Sequence, residues 1–84
     1  MGKNIIKAYA MKLEVNDVIN FGKKEGVNVT ENEANIFLTT VKENIDYILD
    51  GHALELLENK RDEFTSEVYE KLVELFDKYK KFIG

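Results

Sequence analysis

Thr30-Glu31-Asn32-Glu33-Ala34-Asn35-Ile36-Phe37-Leu38-Thr39-Thr40-Val41-Lys42-Glu43-Asn44-Ile45 is the stretch that decides the fold. A Thr followed three residues later by Glu is a capping box: the hydroxyl takes one free backbone N–H of the first helical turn while the carboxylate reaches back to the cap. Glu31 and Glu33 also suit the positive end of a helix. Behind this start, Ala34, Phe37, Leu38, Val41 and Ile45 recur at helical spacing, with Asn35, Thr39, Lys42 and Glu43 on the other faces. One capped, amphipathic helix with a core-facing stripe is expected here.

The same period extends to both sides. Upstream, Val15, Val18, Ile19 and Gly22 predict a helix over about 15–25, with Gly26 placed for a left-handed C-terminal cap. Ile5, Ile6, Tyr9 and Leu13 fit either an extension of that helix or a separate short one. Downstream, Thr65 or Ser66 can cap a last helix over 66–82, whose stripe of Val68, Leu72, Leu75, Tyr79 and Phe82 is flanked by a second row, Tyr69, Phe76 and Ile83. A shorter helix from Asp50 or Gly51 to Lys60 buries Ala53, Leu54 and Leu57. Between the helices, Ile45-Asp46-Tyr47-Ile48-Leu49-Asp50-Gly51 reads two ways: Ile45, Tyr47 and Leu49 alternate as in a strand, whereas Ile45, Ile48 and Leu49 continue a helix. The extended reading is preferred, and Val27-Asn28-Val29 alternates similarly, so the two links could pair as a minimal two-stranded ribbon. The expected fold is all-α: a single domain over residues 1–84, built as a small four-helix bundle of three long or medium helices and one short one.

Composition narrows the function classes. With 84 residues, 44% hydrophobic and 33% charged, the chain has a globular balance and room for one core. It contains no Cys, which removes disulfides, thiolate metal sites and thiol nucleophiles and fits a cytoplasmic location. Lys7 and Lys12 interrupt the apolar run of the amino-terminal stretch, so no signal-peptide core is expected there, and no stretch approaches the ~18 apolar residues of a membrane span. A net charge of −4 opposes a broad grip on a phosphate backbone. Lys is used almost exclusively over Arg, with Arg61 alone, a bias that fits an AT-rich bacterial genome.

The residues that could carry chemistry do not assemble into a known pattern. Asp50, His52 and Glu55 offer one imidazole among carboxylates, a sparse set for a transition metal. The Asp46–Gly51 stretch departs from a calcium loop, since Ile48 and Leu57 stand where oxygen ligands belong. Ser66 lacks a glycine-flanked elbow, and any triad would have to use His52. The carboxylate pairs Glu31 with Glu33 and Asp62 with Glu63 sit at helix ends, where the dipole accounts for them. Gly22-Lys23-Lys24-Glu25-Gly26 lacks both the spacing and the hydroxyl of a phosphate loop. No catalytic residue, metal ligand or cofactor site is therefore assigned.

Residues 15–25, the turn over 26–29 and the helix from Glu31 have the dimensions of a helix-turn-helix, in which Asn32, Asn35 and Thr39 would face base edges. The acidic start of that second helix counts against a phosphate-facing role. Over Val15–Phe82 the order of features resembles a family of small Firmicutes proteins of unknown function. Those features are Gly26-Val27-Asn28-Val29-Thr30, a helix with buried Ala34, Lys42-Glu43-Asn44-Ile45-Asp46-Tyr47-Ile48 before a leucine-bearing helix, and a Thr-Ser-capped helix ending in Leu75-Phe76 and Phe82. The resemblance implies a helical fold and no particular activity. The functional expectation is a non-catalytic protein–protein interaction or assembly module. Its partner is expected in the groove between the second and last helices, near Phe37, Phe76 and Tyr79. A homodimer through the wide face of the last helix is the other use of that surface. A helix-turn-helix contact to nucleic acid is the alternative from a different class.

Overall fold

The computed structural model describes residues 2–83, with side chains for all of these except Lys3 and residues 79–83. Along them run α1 (Lys3–Lys12), α2 (Val15–Lys24), α3 (Glu31–Glu43), the single turn α4 (Ile45–Tyr47), α5 (Ala53–Asn59) and α6 (Ser66–Ile83). A wide π-type turn, Ile48–His52, joins α4 to α5, and a 3-10 turn, Arg61–Glu63, precedes α6. The all-α bundle follows the sequence pattern, and the amino-terminal residues add a separate helix to the four expected.

The starts of α3 and α6 are built as their sequences prescribe. The Glu33 N–H donates to Thr30 Oγ1 at 3.1 Å, and the Thr30 N–H donates to Glu33 Oε1 at 3.1 Å. Ala34, Leu38, Val41 and Ile45 are buried, as the stripe requires. Thr65 rather than Ser66 caps α6, its hydroxyl accepting from the Val68 N–H at 3.4 Å. Gly26 takes the left-handed conformation, φ 79°, that closes α2.

Two links depart from the extended geometry expected of them. Residues 45–50 are helical because that form buries Ile45, Ile48 and Leu49 together beside Ala10 and Val41. Tyr47, which a strand would have turned inward with Ile45 and Leu49, stays 40% exposed. Helical continuity breaks only at Gly51, whose φ of 99° suits a residue without a Cβ and widens the turn into α5. The two-stranded ribbon is accordingly absent among the described residues. Val27 instead donates its N–H to the Gly22 carbonyl at 2.8 Å and buries its side chain against Leu57, Phe64, Val68 and Leu72.

Two apolar clusters make the core. Ala10, Val41, Ile45, Ile48 and Leu49 form one beneath α1, α3 and α4. Val27, Leu57, Phe64, Val68 and Leu72 form the other between the 26–30 link, α5 and α6. Phe37 and Phe76 pack against both, so these two rings are the seam of the molecule.

Candidate functional site

Glu33 is the one buried charged residue among the described positions, 5% exposed. Burial alone would raise its pKa, but the Thr65 N–H, the Thr30 N–H and the two threonine hydroxyls together outweigh burial and hold the carboxyl below its ordinary value. Its second oxygen, Oε2, accepts from the Thr65 N–H at 2.8 Å, across 32 residues of chain. One carboxylate thus joins the start of α3 to the start of α6. The sequence signals the Thr30 half of this arrangement and carries no mark of the Thr65 half. Every polar atom of the carboxylate is engaged in structure, which makes it a clasp between helices.

Phe37 and Phe76, two of the three residues expected to line a partner groove, meet with ring centroids 6.1 Å apart and planes tilted by 37°. Both are half-buried. With Val41, Leu56, Leu57 and Phe64 they line a cavity of about 10 Å³, room for about one water molecule. The side chain of Tyr79 lies outside the described residues, as do those of Lys80, Lys81 and Phe82.

At the π-type turn, the Tyr47 ring stacks on His52 with centroids 4.4 Å apart, and His52 Nδ1 lies 3.5 Å from Glu55 Oε2. A hydrogen bond to Glu55, slight burial and the Glu55 charge all raise the Tyr47 phenol above its ordinary pKa. Asp50, His52 and Glu55 do not converge on a common point: among the described residues, no three His, Cys, Asp or Glu side chains are grouped as metal ligands. Next to Tyr47, Asp46 pairs with Lys7 at 3.1 Å and ties α4 to α1. An open surface groove of about 490 Å³ runs beside this pair, with Met11, Lys42 and Tyr47 on its walls.

Among the described residues, the three most exposed large apolar side chains lie on α1, ahead of Phe21 on α2 and Tyr47. Ile6 and Ala10 face the core, whereas Ile5 is 62% and Tyr9 71% exposed. Ile5, Ala8, Tyr9 and Lys12 stand at i, i+3, i+4 and i+7, so they share one outward stripe, and Met11, 48% exposed, lies along its edge. α1 is thus apolar on both sides, a pattern found where a helix is covered on both. The sequence pattern could not separate its two faces, because Ile5, Ile6, Tyr9 and Leu13 all keep helical spacing. On α3, Asn32, Asn35 and Thr39 form an exposed polar stripe beside the exposed Glu31. No described helix is long and apolar enough to cross a membrane. No family model, curated protein or solved structure matches the chain, so the outward stripe of α1 is what its function is argued from.

Proposed function

We propose that this chain is a non-catalytic protein-interaction module whose contact surface is the outer face of α1. The observation that carries the reading is the pair Ile5 and Tyr9, exposed one helical turn apart on a helix that also packs against the core through Ile6 and Ala10. Large apolar side chains grouped on one face mark interaction sites, whereas single scattered ones do not. Tyr is also a residue type enriched among the anchors of interfaces. Kinship with the Firmicutes family that the chain resembles is part of the same proposal and adds no activity to it.

The test is a photo-crosslinking amino acid placed at position 9, with one at the exposed Glu58 as control, in cells of the source organism. Discrete protein adducts from position 9, lost on Ile5→Ser and missing from position 58, support the reading. Lack of any position-9 adduct sinks it. The helix-turn-helix reading is favoured by one feature, the exposed Asn32, Asn35 and Thr39 stripe, and is weakened by Glu31 and the ionised Glu33 at the same helix end. Salt-dependent retention on a nucleic-acid column at about 50 mM salt would favour it over the α1 reading.

A further inference from the structure

We propose that the outer face of α1 takes an acidic, amphipathic segment of another protein; this rests on the interaction reading above and specifies its partner. Residues 1–13 contain Lys3, Lys7 and Lys12 and no carboxylate, while the remainder of the chain carries nine cations against sixteen Asp and Glu. Lys12 is exposed on the apolar stripe itself, with no carboxylate paired to it among the described residues. The adjoining groove holds Lys42 and Glu43 beside the paired Lys7 and Asp46 and adds no net charge, so the positive charge available to a partner is that of α1 itself. A partner on this face meets the apolar anchors Ile5 and Tyr9 beside Lys12, on a segment whose sequence has no acidic residue, and apolar residues spaced among Asp and Glu complement both.

The size of the patch selects the kind of anionic partner. A helical segment is roughly 10–12 Å across and covers α1 alone. An anionic lipid surface or a nucleic-acid duplex extends past α1 over the neighbouring carboxylates Glu43 and Asp46, which lie within the roughly 10 Å over which repulsion is felt. A second copy docking α1 against α1 brings lysine towards lysine with no carboxylate on either helix. A second copy docking α1 onto its acidic side satisfies charge but builds head-to-tail rings or open chains, which the self-association readout below detects.

Display selection from a library of random peptides of about 15 residues tests this, with the full chain as bait and the Ile5→Ser/Tyr9→Ser double variant as counter-bait. Both replaced side chains are exposed, and circular dichroism checks that the variant keeps its fold. The expected winners are net negative, with apolar residues at i and i+3 or i+4. Their binding should fall at least about tenfold on the double substitution and fall again between about 50 and 500 mM salt. Neutral or basic winners, winners retained by the double variant, or failure to enrich any peptide overturn the proposal. So do flotation with anionic phosphatidylglycerol vesicles and concentration-dependent self-association lost in the double variant. A position-9 crosslink to a basic or neutral protein segment would overturn this partner chemistry alone, whereas lack of any crosslink removes the interaction reading beneath it.

Discussion

Replacing Glu33 with Gln keeps the shape of the side chain and removes its charge. In the wild type Oε1 accepts from the Thr30 N–H and hydroxyl at 3.1 and 3.0 Å, and Oε2 accepts from the Thr65 N–H at 2.8 Å. The amide retains one acceptor, but its NH2 group must face a backbone N–H on the other side. One charge-assisted bond is worth about 1.5–3 kcal/mol, and a carboxylate at a helix start a further 0.3–1 kcal/mol. Thr30 and Thr65 are exposed enough for water to take over part of the lost bonding, so the net cost expected at pH 7 is about 2 kcal/mol. A domain of 84 residues has roughly 4–12 kcal/mol in total. A loss of that size lowers Tm by about 8–16 °C, readily measured by far-ultraviolet circular dichroism.

Acid supplies the sharper measurement. The folded carboxyl binds its proton less readily than the same group in the unfolded chain. Between the two pKa values the unfolded state therefore holds more protons, and stability falls as pH falls. The contribution of Glu33 is complete above the unfolded value, about pH 4.3, and is lost as pH drops through the lower folded one. Wild type and Glu33→Gln should consequently differ most at neutral pH and converge in acid. A Glu31→Gln control, at an exposed position on the same helix start, should cost only about 0.3–1 kcal/mol. A gap between wild type and Glu33→Gln that stays constant with pH, or no gap at neutral pH, would refute the clasp.

Three further outcomes follow from the packing. A Cβ on Gly22 would stand 2.5 Å from Val29 Cγ2 and 3.1 Å from the Val27 carbonyl oxygen. Gly22→Ala should therefore cost about 1–3 kcal/mol in urea unfolding, and the added Val29→Ala substitution should recover part of the lost midpoint. Leu57, 3% exposed and bordering the small cavity, should cost about 2–5 kcal/mol as Leu57→Ala, a large share of the total, read as a lower urea midpoint. Glu55→Gln removes both the charge beside the Tyr47 hydroxyl and its carboxylate acceptor, so one tyrosine should titrate at lower pH in ultraviolet difference spectra.

What the sequence disclosed was local. The Thr30–Glu33 box, the α3 stripe, the Gly26 stop and the Thr65 cap each depend on residues within one or two turns of one another, and each is present. The extended reading of 45–51 failed because two periods competed over seven residues. The choice fell to burial against Ala10 and Val41, which no short window contains. The Glu33–Thr65 bond joins positions 32 residues apart, and a carboxylate already explained by its own cap gives no reason to seek a second donor. Phe37 and Phe76 were legible as large apolar residues, but that they bridge two clusters is a property of the assembled bundle. The outer face of α1 was hidden for a related reason: Ile5 and Ile6 are one residue apart and chemically identical, and only packing distinguishes solvent from core.

Among the described residues, α1 is held to the body by two buried or half-buried side chains, Ala10 and Ile6, and by the Lys7–Asp46 pair, whose exposed charges hold weakly. A segment held so lightly breathes away from the body at a small fraction of the global unfolding free energy. Any guest that grips both the outer stripe and the neighbouring groove must hold the helix down, since that groove is lined by Lys7 and Met11 of α1 together with Asp46 and Tyr47 of α4. Occupancy would then register as slowed amide exchange along Lys3–Lys12, with the rest of the molecule exchanging as before.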